Sequence, residues 1–222
     1  MKKILFWLLL LPAMAPAQQT NVQTTEYPND YLSPAFHAGR RAAFKEKMPA
    51  KSVGIFFASQ VRLRNDDVDY QYAQSKNFYY FTGLEEPNAM LLLFKEPTTI
   101  LGKTGTEFIF VQNRDPQREM WNGKILGVEG VTKRYQFTNV FLNRDFKNNT
   151  IALNEYDSVL TSFRSEDIFQ TYPRTRDELS RMAGIVDSLI KAHNKPNKFL
   201  FICRTCIKQL RLILKYMYFN HN

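Results

Sequence analysis

The chain has 222 residues, is 44% hydrophobic and 14% aromatic, and carries a formal net charge of +9. Its 18 Phe and 11 Tyr exclude a solvated, disordered body, and its length suffices for one sizeable core. Setting aside the two lysines in residues 1–17 and the four basic residues in 199–222 leaves +3 for residues 18–198, a mixed surface that gives no case for a nucleic-acid partner.

The opening "MKKILFWLLLLPAMAPA" reads as an export signal. Lys2 and Lys3 precede an apolar run over residues 4–11, and Ala15-Pro16-Ala17 supplies a small-x-small cleavage pattern. The run is too short to span a bilayer and stay there. Cleavage after Ala17 would leave Gln18 first and place the mature chain in a periplasm or outside the cell. Residues 18–32 read as a flexible lead.

"SPAFHAGRRAAFKEKM" predicts a helix capped by Ser33, with Pro34 in its first turn and Phe36, Ala43, Phe44 and Met48 near helical spacing. His37 has no acidic or histidine partner one turn away and is expected to face solvent. "SVGIFFA" predicts a buried strand, and an acidic cluster of Asp66, Asp67 and Asp69 follows. "NFYYFTG" reads as a strand running into a turn at Gly83, which is free to adopt positive φ. "NAMLLLFK" and "EFIFVQN" predict two further strands joined by the polar "EPTTILGKTGT". Asp115-Pro116 opens a short helical turn through Trp121, which Asn122-Gly123 ends. "YQFTNVFLNRDF" is taken as helical and "TIALN" as a strand. Residues 175–193 predict an amphipathic helix with Thr175 and Glu178 at capping-box spacing and a stripe of Leu179, Met182, Ile185, Val186 and Leu189. The alternation predicts an α/β domain: a single domain with a mixed sheet flanked by helices. Asn148-Asn149-Thr150 matches a glycosylation sequon, relevant only in a eukaryotic secretory path.

The chemistry-bearing motifs are absent. No G-x-G-x-x-G, Walker A, G-x-S-x-G or H-E-x-x-H occurs, and His37, His193 and His221 form no cluster in sequence. Asp157, Asp167, Asp177 and Asp187 recur every ten residues, but no acid follows Asp187 to complete a metal shell, so the spacing reads as chance. Cys203 and Cys206 lack the second pair that a zinc ribbon needs.

The series "KSVGIFFA", "RNDDVDYQYAQSKNFYYFTGLEEPNAMLLLF" and "FIFVQNRDPQREMWNGKILG" resembles the N-terminal domain of Xaa-Pro aminopeptidases, of the creatinase and prolidase group of metallopeptidases. The paired motifs aromatic-Y-F-T-G-x-x-E-P and R-D-x-x-x-E-x-W-x-G carry the resemblance, which extends over about residues 35–195. It implies an N-terminal-like domain over 33–198 and a parent with a C-terminal "pita-bread" catalytic domain. There, two divalent metals, usually manganese, would activate a hydroxide that attacks the bond before a penultimate proline. It further implies proline-containing peptides as substrates and a homo-oligomer formed through the N-terminal domain.

No residue here matches a metal ligand of that family, so no cofactor is expected to be retained and this chain is expected to be inactive by itself. By motif match, Asp67 and Trp121 are the candidate contacts to a substrate cleft or a neighbouring subunit. Asp67 would orient a basic group, and Trp121 would form an apolar wall. The competing readings are a solvated loop acid for Asp67 and core or interface packing for Trp121. Where relatives often have Tyr-Arg-Gln, this chain has Tyr72-Ala73-Gln74, so an ion pair made by that arginine is missing.

The resemblance fades near Lys198. Residues 199–222 carry Arg204, Lys208, Arg211 and Lys215 on one helical face and no acid. They read either as a basic amphipathic helix for an anionic membrane or, preferred, as the out-of-frame end of a disrupted gene. On that reading the catalytic domain is absent and the chain is a truncated form. The alternative is a standalone binding or oligomerisation domain without catalysis.

Overall fold

Six consecutive residues, Ser52–Phe57, form strand β1, and all six are buried. Such a run has no solvent face, so it must lie inside a sheet covered on both sides. The computed structural model, which describes residues 32–66, 68–161, 177–192 and 200–201, places it there. β1 pairs antiparallel with β4 (Met90–Ile100) and parallel with β7 (Ser158–Thr161). β4 pairs antiparallel with β5 (Lys103–Val111), and β5 pairs parallel with β6 (Val140–Leu142). With β8 (Leu200–Phe201) beside β7, the mixed sheet runs β6-β5-β4-β1-β7-β8. A separate two-stranded ribbon pairs β2 (Leu63–Asn65) with β3 (Val68–Asp69).

Successive strand residues point to opposite faces, and each face has its own core. On one face Phe56, Leu91, Leu93, Ile109 and Leu160 pack with α1 (Pro34–Lys47), α2 (Lys76–Thr82) and α4 (Gly127–Tyr135). On the other, Val53, Ile55, Leu92, Phe94, Phe108 and Val159 pack with α5 (Glu178–Ala192) through Leu179, Met182, Ala183 and Val186. The expected mixed sheet flanked by helices is what forms.

Several local expectations hold. Ser33 Oγ accepts from Phe36 N at 3.2 Å, with Pro34 opening α1. A short helix, α3 (Pro116–Asn122), follows Asp115 and ends at Gly123. α5 buries most of the expected stripe. Thr175 lies outside the described residues, and Asp177 supplies a cap to α5, its Oδ1 accepting from Ser180 N at 2.7 Å.

Others are corrected. "NFYYFTG" is helix α2, not a strand: Phe78, Phe81 and Thr82 are buried at helical spacing, and that face outweighs the β-propensity of its aromatics. Gly83 does take positive φ (71°), closing α2 with its N–H on Tyr79 O. The polar connection after "MLLLF" is itself strand, and the hairpin turns at Leu101 and Gly102 (φ 48° and 79°). "YQFTNVFLNRDF" is not a helix. α4 stops at Tyr135 with Gln136 at φ 58°, and β6 and a 3-10 turn (Asn143–Asp145) follow. Asn139 O accepts from Ile109 N, drawing this segment alongside β5 instead. "TIALN" is not a strand; it leads into a 3-10 turn (Leu153–Glu155), and the strand is the next segment, β7.

His37 is buried, not solvent-facing: only 1% of its surface is exposed, and its Nδ1 lies 3.0 Å from Tyr80 O. The buried face of α1 is therefore His37, Arg41 and Phe44, continued by the capping Met48. Arg41 is the unusual member. Its Nε donates to Glu107 Oε2 at 2.6 Å, its Nη1 to Phe81 O at 2.8 Å, and its guanidinium lies 4.2 Å from the Phe137 ring centre. Lys45 Nζ reaches Glu107 Oε1 at 2.7 Å. Burial alone would raise the Glu107 carboxyl; Arg41 and Lys45 overcome this and hold it below the usual range.

A group with a depressed folded pKa contributes stability above its unfolded value, and that contribution is lost as pH falls through the folded one. Glu107→Gln is therefore expected to cost about 2 kcal/mol at neutral pH, less than a fully buried pair because the carboxylate is partly exposed. The gap should close as pH drops below about 4.3. Urea melts at pH 7 and pH 3.5 measure it, and a gap that widens in acid would contradict the account.

Candidate functional site

The two candidate residues fare differently. Asp67 lies outside the described residues; its neighbours Asp66 and Val68 belong to the exposed β2–β3 ribbon. Trp121 sits on α3 with 86% of its surface exposed, and Met120 beside it is 77% exposed. Among the described residues, Trp121 does not pack into the core. An indole left in water beside a thioether makes an apolar projection, available to something outside the described chain.

The local sequence explains why α3 forms. Asp115 Oδ1 accepts from Gln117 N at 3.0 Å and from Arg118 N at 3.4 Å, Pro116 opens the helix, and Gly123 (φ 78°) ends it. Polar contacts hold its far end. Glu119 Oε1 accepts from Arg114 Nε at 2.9 Å and from Ile125 N at 3.1 Å. Arg114, and then the Ile125 N–H, hold the Glu119 carboxyl below the usual range.

One residue further along, Leu126 N donates to Glu86 Oε1 at 2.7 Å. Gln112 Nε2 donates to Glu86 Oε2 at 3.3 Å. Burial pushes the Glu86 carboxyl up, and these two hydrogen bonds offset that only in part; Glu119 adds to the rise and Arg134 opposes it.

Glu86 in turn is fixed by Gln74. Gln74 Nε2 donates to Glu86 O at 2.9 Å and Leu84 O at 3.0 Å, while its Oε1 accepts from Ser59 N and Ser75 N at 2.7 and 2.8 Å. All four hydrogen-bonding positions of the amide are used. Tyr72 Oη donates to Ser59 O at 3.2 Å, and burial raises its phenol so that it stays protonated. Between them Ala73 is exposed, so Tyr72 and Gln74 carry the contacts of this tripeptide.

Sequence reasoning singled out Trp121 but missed Glu86, Gln74, Gln112 and Glu119. Glu86 and Glu119 lie inside the two quoted motifs, and that was the available signal: a carboxylate beside Pro87 and another two residues before Trp121. Among the described residues, no group of three His, Cys, Asp or Glu is placed to hold a metal ion. The metal pair implied by the resemblance finds no ligand set there, and no chemical step is derived through it. The aspartates at ten-residue spacing are scattered: Asp157 precedes β7, Asp177 precedes α5 and Asp187 lies on it, while Asp167 is outside the described residues. The pair Cys203 and Cys206 is also outside them. Among the described residues no helix is long and apolar enough to cross a membrane.

Comparison with known proteins places these features in a family. The family profile described as "Aminopeptidase P, N-terminal domain" matches residues 37–160. The Xaa-Pro aminopeptidase of Haemophilus influenzae is 34% identical over 107 residues, covering 48% of this chain and 24% of the relative. That of Escherichia coli is 35% identical over 95 residues, covering 43% and 21%. The structure of Pseudomonas aeruginosa aminopeptidase PepP superposes with a TM-score of 0.56 at 26% identity, covering 76% of this chain and 36% of that one. The chain belongs to the aminopeptidase P N-terminal domain family. It spans about a quarter of the length of the curated relatives it matches.

Two substitutions test the site's construction. Trp121→Ala is expected to change stability by less than about 0.5 kcal/mol, since an exposed side chain contributes little to the folded chain; a loss above 2 kcal/mol in urea would mean the indole packs internally. For Glu86 the folded pKa lies above the unfolded one. Its neutral form therefore stabilises the fold at low pH, and that gain fades as pH rises from about 4.3 through the folded value. Glu86→Gln is expected to match the parent near pH 4 and to be at least as stable at pH 7. A Gln variant markedly weaker at pH 7 than at pH 4 would reverse that sign.

Proposed function

We propose that these residues serve as the non-catalytic N-terminal domain of an exported Xaa-Pro aminopeptidase-type protein. The parent reaction would be hydrolysis of the bond before a penultimate proline, for which two divalent metals, usually manganese, would supply the activated water; no group of described residues here would hold them. The observation that supports this most is the family match over residues 37–160, which coincides with the two-faced sheet domain.

The domain's part is contact rather than chemistry. α3 presents Trp121 and Met120 to solvent, and burying an indole removes roughly 200 Å² from water. At about 25 cal/mol per Å² this is a gross gain of about 5 kcal/mol, enough to make an interface hot spot after the costs of association. We assign Trp121 to the wall of a cleft shared with a neighbouring subunit of a homo-oligomer, with Asp67 as a second, charged contact. Proline-containing peptides are the substrate class such a cleft would receive. Export is supported by Lys2, Lys3, the apolar run and Ala15-Pro16-Ala17.

Purified chain is expected to leave Ala-Pro-containing peptides intact with or without added Mn²⁺; metal-dependent release of the N-terminal residue would overturn the non-catalytic assignment. In sedimentation equilibrium the chain should self-associate, and Trp121→Ala should weaken association by about tenfold or more. Equal association of parent and variant would remove Trp121 from the interface.

A further inference from the structure

None of the described side chains of α3 is buried. Among its described side chains only Glu119 is turned away from water, through polar contacts, so apolar packing of its own does not hold this seven-residue helix, and isolated helices of this length are marginal. Something outside the helix must fix the direction in which Trp121 projects. The fixed points lie just beyond its C-terminus. Ile125 and Leu126 are consecutive, and their amide N–H groups are taken by two different carboxylates, Glu119 from α3 itself and Glu86 from the loop after α2. The side chain of Ile125 is buried beside them.

The two carboxylates have different anchors. Glu119 is held by Arg114, 62% exposed, which directly precedes the capping Asp115 of the same helix. Glu86 is tied to the body of the domain. Its backbone oxygen is bound by Gln74, whose other bonds reach Ser59 at the exit of β1 and Ser75 ahead of α2. The path from the central strand to the indole therefore runs Ser59, Gln74, Glu86, Leu126 and back along residues 123–126 to Trp121. A carboxylate half out of water is a costly choice of acceptor where an amide would be cheaper, and burial does raise the Glu86 carboxyl. What the side chain supplies is reach to Leu126 N together with a second oxygen for Gln112, two acceptors on one planar group.

We propose that Glu86 is a positioning residue for Trp121: through Leu126 it fixes residues 123–126, and through them it sets where the indole stands. The inference rests on the reading of Trp121 as an intermolecular contact.

The test uses the full chain carrying Trp7→Phe, which leaves Trp121 as its sole tryptophan. Three variants are added singly: Glu86→Ala, which removes the acceptor; Glu86→Asp, which keeps the charge but shortens the reach by one methylene; and Glu86→Gln, which keeps one oxygen at the same reach for Leu126 N. Amide exchange at Ile125 and Leu126 and the fluorescence anisotropy of Trp121 are followed well below the melting temperature. In the Ala and Asp variants exchange at both amides should rise at least tenfold and anisotropy should fall, while Gln should restore both. Unchanged exchange and anisotropy in Ala or Asp, whatever happens to the melting temperature, would overturn the inference. So would a Gln variant that behaves like Ala. If Glu86→Ala does not fold, the Asp and Gln pair decides alone. Failure of Trp121→Ala to weaken association removes the contact reading but leaves the exchange result to decide the role of Glu86.

Discussion

A buried guanidinium organises one face of this domain. Arg41 keeps only 3% of its surface in water, and an unpaired charge there would be prohibitive. It is accommodated because three elements converge on it: the carboxylate of Glu107 on β5, the carbonyl of Phe81 at the end of α2, and the ring of Phe137 after α4. The constraint works in both directions. Arg41 needs all three, so α1, α2, β5 and the segment after α4 must meet at one place. Apolar burial would favour many ways of laying three helices on a sheet; the fixed fork of a guanidinium favours one. Lys95 extends the same logic, its Nζ donating to the last carbonyls of α1, Lys45 O and Glu46 O.

A second polar path runs from the sheet to the exposed helix α3. Gln74 joins the exit of β1 to the loop after α2, and Glu86 joins that loop to the start of α4. The aromatic stretch "NFYYFTG" lies between these two devices. Its Phe78 and Phe81 fill the core, while the residues after it, Leu84 and Glu86, offer backbone carbonyls to Gln74. One segment thus closes the core on one side and carries the anchor of the presented edge on the other. The edge itself exposes Met120 and Trp121 beside the polar Gln117 and Arg118.

Much of the fold was readable from the residues, and the failures have physical reasons. β1, β4 and β5 were legible because long apolar β-rich runs admit little else, and α5 because its stripe has a clean helical period. α2 was misread because Tyr and Phe favour strands locally, while the three-residue spacing of Phe78 and Phe81 is short evidence against that preference. α4 was missed because Gly127 and Gly130 weaken any helix signal, and its start depends on an acceptor forty residues away, Glu86. β6 was misread because it forms only through pairing with β5. His37 looked exposed because its partner, Tyr80 O, is a backbone atom that no local pattern reveals. Trp121 stands out by motif, and it is exposed among the described residues; Glu86 and Glu119 lie inside the same two motifs, but their partners, the Leu126 and Ile125 amides, are backbone groups that no residue identity marks.

These two polar paths give the domain its character: a rigid sheet that holds an aromatic edge in a defined place and carries no assembled chemistry among the described residues. The most direct measurement is photo-cross-linking from position 121, with a benzoylphenylalanine in place of the tryptophan in the full chain. The account predicts cross-linked products joining two chains, with the partner's attachment confined to one surface region. Cross-links formed only within a single chain, or none at all at concentrations where the chain associates, would contradict it.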